Sequence, residues 1–276
     1  MSLPSIYDPN RVGKVYRAYT TTAITEGMAA GHKPASQDDP RVLVMLVDAQ
    51  VDFIHPEGSL SVPGAVEDTR RTVEWIYQNV GGITKIMASL DTHIPFQIFY
   101  PTWWIDEDGN HPAPYTLISA GEVDQGKWKP TLMEDWSVRY VHQLEEGSKK
   151  VLTIWPYHTM LGTEGHIIMP ALREAISYHA GARQTQPDLY VKGTIPQTEH
   201  YSILEPEVKV PGETLGIVNE DLLKQIASYD RIFVMGQAKS HCVLETVTSM
   251  VRYYAEHDPE VIKRVTLFDD GMSSVA

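Results

Sequence analysis

The sequence predicts an α/β protein: a doubly wound, mostly parallel β-sheet flanked by helices and broken by one long insertion. Two observations predict it. Short, continuous apolar runs recur along the chain, as strands buried on both faces require. Amphipathic stretches fall between the runs, so strand and helix alternate. A length of 276 residues suits one large domain carrying an insertion.

The elements follow in order. Residues 1–40 are polar, with frequent Gly, Pro, Ser and Asp, and read as an irregular arm that wraps the domain or a neighbouring subunit. VLVMLV at 42–47 is the first buried strand, and similar runs stand at 83–90, 151–154, 232–235 and 265–268, with a weaker one at 189–191. Helices are expected over 67–78, with Val73, Ile76 and Tyr77 at helical spacing, and over 165–179, with Ile168, Leu172, Ala175 and Ile176 on one stripe. A third, over 219–227, opens on an Asn cap, and a fourth, over 240–254, follows its strand with almost no connection. Between about 97 and 150 the rhythm fails. That stretch holds Trp103, Trp104, Trp128 and Trp136, so it reads as an ordered insertion, a lid or a subunit contact, rather than as disorder. The domain proper is then 41–276.

Composition excludes several classes of function. Hydrophobic residues at 42% and charged residues at 21% match ordinary globular chains and exclude wholesale disorder. A net charge of −13 disfavours nucleic acid and anionic membranes as partners. A single cysteine cannot form an internal disulfide. No run approaches the roughly 18–20 apolar residues of a membrane span, and the N-terminus shows no apolar signal segment. A cytoplasmic protein acting on a small molecule is expected.

Ligands of doubly wound sheets bind beyond the carboxyl ends of the strands, so residues there matter most. Three carry reactive groups. Asp48 follows the first strand in VDAQVDF, Lys192 ends the 189–191 run, and Cys242 sits in VMGQAKSHCV at a strand-to-helix turn. Taken singly, each has an ordinary structural reading: a turn-capping Asp, a solvated Lys, an inert buried Cys. Together they make a thiol nucleophile, an ammonium that lowers its pKa and a carboxylate that moves its proton. A second group is Asp91 and His93 in SLDTH with His158 in IWPYHTMLGTEG. Carboxylate and imidazole suit zinc, iron or manganese, although local hydrogen bonding alone also explains Asp-x-His. Phe53, Trp103 and Trp104 are candidate aromatic walls for a flat substrate, or else core residues. Gln50 and His55 read as structural, and His241 as a pocket residue or a neighbour facing away.

VLVMLVDAQVDF followed by GSLSVPGA resembles the opening of the isochorismatase-like cysteine hydrolases. SLDTH, WPYHTMLGTEG, VKGT and GQAKSHCV look most like nicotinamidases. The resemblance spans roughly 41–275 and implies a six-stranded, mainly parallel sheet. It also implies a triad of Asp48, Lys192 and Cys242, a cis peptide at Gln237–Ala238, an oxyanion hole from the N–H groups of Ala238 and Cys242, and a homo-oligomer. The metal ligands it implies are Asp91, His93 and His158. The chain departs from the pattern at Phe99, where a further histidine is expected; Asp106, Glu107, Asp108 or His111 are the replacements within reach in sequence. The expected activity is hydrolysis of a carbon–nitrogen bond in a small carboxamide through a cysteine thioester, with Cys242 resting as a thiolate. The rivals are a metal-independent hydrolase of another small substrate and a non-catalytic binding protein on the same fold.

Overall fold

A computed structural model describes residues 3–148 and 150–275. Five strands form the central sheet: β1 (Val42–Val47), β2 (Lys85–Asp91), β3 (Asp188–Lys192), β4 (Arg231–Gly236) and β5 (Val265–Leu267). Their order is β3-β2-β1-β4-β5, and every pair is parallel. Six helices of eight residues or more accompany them: α1 (Thr20–Ala29), α2 (Ala65–Asn79), α3 (Glu134–Gln143), α4 (Pro170–Arg183), α5 (Glu220–Ala227) and α6 (Leu244–His257).

Strand β1 shows why both faces are covered. Its residues alternate direction, so Val44 and Leu46 join a cluster with Val73 and Ile76 of α2 and Leu172 and Ile176 of α4. Leu43, Met45 and Val47 join a second cluster with Leu222 and Ile226 of α5 and Met250 and Tyr254 of α6. No polar position interrupts β1 because neither face meets water.

The sixth strand is not part of this sheet among the described residues. The 151–154 run supplies instead a two-residue strand, Leu152–Thr153, paired antiparallel with Leu117–Ile118 of the insertion. An apolar run of four residues does not say which backbone it pairs with. The long helix expected from 165 begins at Pro170, whose fixed φ suits the first helical turn. The N-terminal segment, read as irregular, contains α1, which packs on α4. No helix among the described residues is long and apolar enough to cross a membrane.

The insertion is ordered around its tryptophans. Trp103 and Trp104 are fully buried; Trp103 Nε1 donates to Ser137 Oγ (2.9 Å) and Trp104 Nε1 to Ile98 O (2.7 Å). They are core residues of the insertion, which corrects their reading as substrate walls. A buried indole with its N–H satisfied is a packing anchor, and composition alone cannot tell that from a pocket wall.

Candidate active site

Parallel pairing brings the carboxyl ends of four adjacent strands to one edge. Asp91 and Lys192 are register partners on β2 and β3, and Val47 and Gly236 are partners on β1 and β4. Asp48 leaves β1 with φ 43°, a left-handed conformation that Asp tolerates better than most residues. Gly236, at φ 129°, turns the chain out of β4 where a Cβ would run into the Val47 carbonyl, so only glycine fits. The Gln237–Ala238 peptide that follows is cis. A turn over Lys239–Val243 then carries Cys242 to the start of α6.

Residues remote in sequence therefore converge on the Lys192 ammonium. Its Nζ lies 2.8 Å from Asp91 Oδ1, 2.8 Å from His200 O, 2.9 Å from Asp48 Oδ2 and 3.7 Å from Cys242 Sγ. All four side chains, Asp48, Asp91, Lys192 and Cys242, are buried. A buried charge needs such compensation, and here one ammonium faces two carboxylates. Asp48 is oriented by Ser89, which donates to Asp48 Oδ1 at 2.6 Å and accepts from Asp48 N at 3.0 Å. Asp48 Oδ2 has no aligned hydrogen bond of its own, which leaves a lone pair for the thiol.

The electrostatics correct one expectation. Burial pushes the Cys242 thiol well up; Lys192 opposes this, but Asp48 and Asp91 add to it. The direction is toward the neutral thiol rather than the thiolate expected from the turn. Burial also raises Asp48 against the pull of Lys192, which makes it a stronger base than a free aspartate. Burial works against the Lys192 charge, yet Asp48 and Asp91 outweigh it and hold the ammonium well above its usual range. A turn at a helix start cannot ionise a thiol that is dry and faces two acids.

Next to this group Asp91, His93 and His158 place one ligand atom each within 4.8 Å of one another, all buried. His93 Nε2 is 2.9 Å and His158 Nε2 3.6 Å from Asp91 Oδ2. The opposite ring nitrogens sit against backbone carbonyls, His93 Nδ1 at 3.2 Å from Gly193 O and His158 Nδ1 at 2.8 Å from Pro156 O. Neutral imidazoles that donate through Nδ1 present bare Nε2 lone pairs, and these face a carboxylate oxygen. Three electron-rich atoms at such spacing need a cation between them, or a proton on an imidazole. Burial alone would push Asp91 up, but the His93 and Lys192 charges and the imidazole hydrogen bonds hold its carboxyl well below the usual range. The donor set fits a divalent metal. Gly193, at φ 80°, lets Asp91 and His93 stand as they do: a Cβ there would lie 2.9 Å from Asp91 Oδ1 and 3.0 Å from His93 Cε1.

The replacements considered for a fourth ligand do not reach this cluster. Asp106 accepts from Asp108 and Asn110 in its own turn, while His111 Nδ1 lies 2.7 Å from the Trp104 carbonyl. Among the described residues the group contains only Asp91, His93 and His158. Phe99 packs edge-on against His93, with ring centroids 4.9 Å apart, and buttresses the imidazole instead of ligating.

A cleft beside Cys242 is lined by Phe53, Trp155, Tyr201, His241, Ala238 and Glu199, together with Asp91 and His158. His241 packs edge-on between Trp155 and Tyr201, 5.4 Å from each ring. Phe53 lies edge-on to His158 at 5.6 Å. Glu199 accepts from Trp155 Nε1 at 3.0 Å, and burial pushes its carboxyl up to about 7. The cleft holds about 20 Å³ of free space, enough for about one water. Residue patterns had not indicated Ser89, Glu199, Tyr201 or Trp155. Trp155 stands inside the WPYH string and Gly193 inside VKGT, so both carried a signal; Glu199 and Tyr201 lie in an aperiodic loop.

Asp52, also unmarked by the sequence, holds the His158 loop. Its Oδ2 accepts from Thr159 N at 2.7 Å and its Oδ1 from Ser59 N at 3.1 Å. Thr159 has φ 44°, an outlier for a β-branched residue, and its carbonyl accepts from His93 N at 3.2 Å. The backbone just after His158 is thus held in an unfavourable conformation by the Asp52 carboxylate.

The overall architecture is that of solved nicotinamidases. The yeast nicotinamidase matches with a TM-score of 0.54 and 17% identity, covering 83% of this chain and 99% of its own. The nicotinamidase/pyrazinamidase of Acinetobacter baumanii matches with a TM-score of 0.53 and 18% identity, covering 87% of each chain. A further structure of the yeast enzyme, bound to the inhibitor nicotinaldehyde, matches with a TM-score of 0.54 and 18% identity, over 81% of this chain and 93% of its own. No protein-family model matches the chain, and no curated protein matches its sequence. The chain therefore shares the nicotinamidase fold at low sequence identity.

Proposed function

We propose that the protein is a cysteine amidohydrolase that cleaves a small aromatic carboxamide of the nicotinamide type. One observation carries the reading: Asp48 Oδ2 and Cys242 Sγ lie 2.9 and 3.7 Å from the same buried Lys192 Nζ. Asp48 accepts the thiol proton as Sγ attacks the amide carbonyl, so the thiolate exists only as the bond forms. Lys192 offsets the negative charge carried by the pair. Developing charge on the carbonyl oxygen is held by the N–H groups of Ala238 and Cys242. Asp48 then returns the proton to the leaving nitrogen, which departs as ammonia from a primary amide. Water, deprotonated by Asp48, attacks the thioester; the C–S bond breaks, Asp48 returns the proton to Cys242 Sγ, and a carboxylic acid leaves. The raised pKa of Asp48 suits both halves of this exchange.

Asp91, His93 and His158 would hold a divalent metal, zinc, iron or manganese, which would supply a Lewis acid for a ring nitrogen of the substrate. Phe53, Trp155 and Tyr201 offer flat apolar surfaces for an aromatic ring. The same proposal treats 1–40 as an arm on a hydrolase domain of 41–276, and the assembly as a cytoplasmic homo-oligomer, which sedimentation velocity and cell fractionation measure. The test of the chemistry is ammonia release from a panel of primary amides including nicotinamide. Wild-type protein should release ammonia, and Cys242→Ala should lose at least about 10³-fold in kcat. Undiminished release by Cys242→Ala would sink the covalent route.

A further inference from the structure

A second cavity, of about 370 Å³, shares no wall residue with the cleft around Cys242. It lies where the segment before α1, the end of β2, the loop before α4 and the edge strand β3 meet. Its volume is that of a small-molecule pocket, whereas the cleft at Cys242 holds about 20 Å³. Leu90, Ile168, Pro170 and Leu189 make its surface mainly apolar. Two arginines, the exposed Arg17 and the half-buried Arg173, line it as well.

Neither arginine has an ion-pair or side-chain hydrogen-bond partner among the described residues. The other polar groups of the wall are already engaged. Tyr16 donates its hydroxyl to Glu174 at 3.0 Å, and His166 Nε2 lies 2.7 Å from Thr92 Oγ1. Among the described residues no Asp or Glu lines the cavity. In a chain of net charge −13, two arginines without an ion-pair partner at the wall of an apolar cavity make a local positive site. Guanidinium favours carboxylate through paired, charge-assisted hydrogen bonds.

We propose that this cavity binds a small amphipathic carboxylate, with its apolar body against Leu90, Ile168 and Leu189 and its acid group between Arg17 and Arg173. The proposal does not rest on the hydrolase reading. Calorimetric titration of the full chain with 4-phenylbutyrate tests it, and 4-phenylbutanol serves as the neutral counterpart. Saturable binding at one site per chain is expected, weakened at least about tenfold in the Arg17→Gln/Arg173→Gln double variant and for the alcohol. Cys242→Ala should bind as the wild type does. Leu189→Trp, which puts a bulky group at the exposed rim, should block binding without lowering the melting temperature. No saturable binding, or equal affinity in the double variant, overturns the proposal. So does a dimer seen by sedimentation that the double variant dissociates without any ligand bound, because the patch would then be a subunit contact.

Discussion

Substituting Gly193 by alanine tests the packing of the Asp91–His93 pair most directly. Gly193 has φ 80°, so any L side chain there suffers left-handed strain of about 1–2 kcal/mol. Its Cβ would also stand 2.9 Å from Asp91 Oδ1 and 3.0 Å from His93 Cε1. Neither neighbour can yield freely. Asp91 Oδ1 is held by Lys192 at 2.8 Å, and His93 is packed against Phe99 and fully buried. Overpacking of this kind adds about 1–3 kcal/mol, so Gly193→Ala should lose about 2–5 kcal/mol in all. Gly109 supplies the control. It has φ 83°, but a Cβ added there would meet nothing within 4 Å, so Gly109→Ala should show the backbone strain alone. Urea unfolding of both variants with chelator present measures the difference. Chelator competition should then show zinc affinity lowered about 10–100-fold in Gly193→Ala and unchanged in Gly109→Ala. Equal stability losses in the two variants would refute the account of how β2 and β3 pack at this edge.

Three further outcomes follow from the same geometry. Ser89→Ala leaves Asp48 Oδ1 and Asp48 N buried without their partner, so it should cost about 1–3 kcal/mol and lower kcat more than it changes KM, with rescue by Ser89→Thr. Burial pushes His179 down to about 4, with Nε2 3.0 Å from Ile83 O and no partner at Nδ1. Because its folded pKa is depressed, its contribution is complete above pH 6.5 and is lost as pH falls toward about 4, a change of about 3 kcal/mol. Unfolding of wild type and His179→Phe at pH 7 and 4.5 should show the variant with the shallower acid limb. Trp103→Ala should cost about 3–5 kcal/mol while KM for the amide stays unchanged in the folded fraction, since Trp103 packs inside the insertion and does not line the cleft.

Much of this molecule was legible along the chain. Apolar runs such as VLVMLV mark strands because a parallel sheet buries both faces, and that pattern is local. Asp48, Asp91 and Lys192 were marked by standing at strand ends, and Cys242 by standing in a strand-to-helix turn. The sheet order then brings these ends side by side. The isolated run at 151–154 was misplaced because pairing partners are chosen by tertiary contact, not by the apolar residues themselves. Trp103 and Trp104 could be assigned as bulky and apolar, but not to the core or the cleft, until the insertion was folded.

Residue type and order alone thus carried the α/β class and marked the candidate reactive and metal-binding residues. Tertiary structure alone decided the surroundings that shift their pKa values. A thiol beside an ammonium reads as a thiolate only if water solvates it; here burial, with Asp48 and Asp91 facing the sulfur, pushes the Cys242 thiol well up against the pull of Lys192. The Ser89, Glu199, Trp155 and Tyr201 contacts were decided at the same level. Hydrogen bonds and ring contacts between residues tens of positions apart depend on distance in space, which spacing in the chain does not encode.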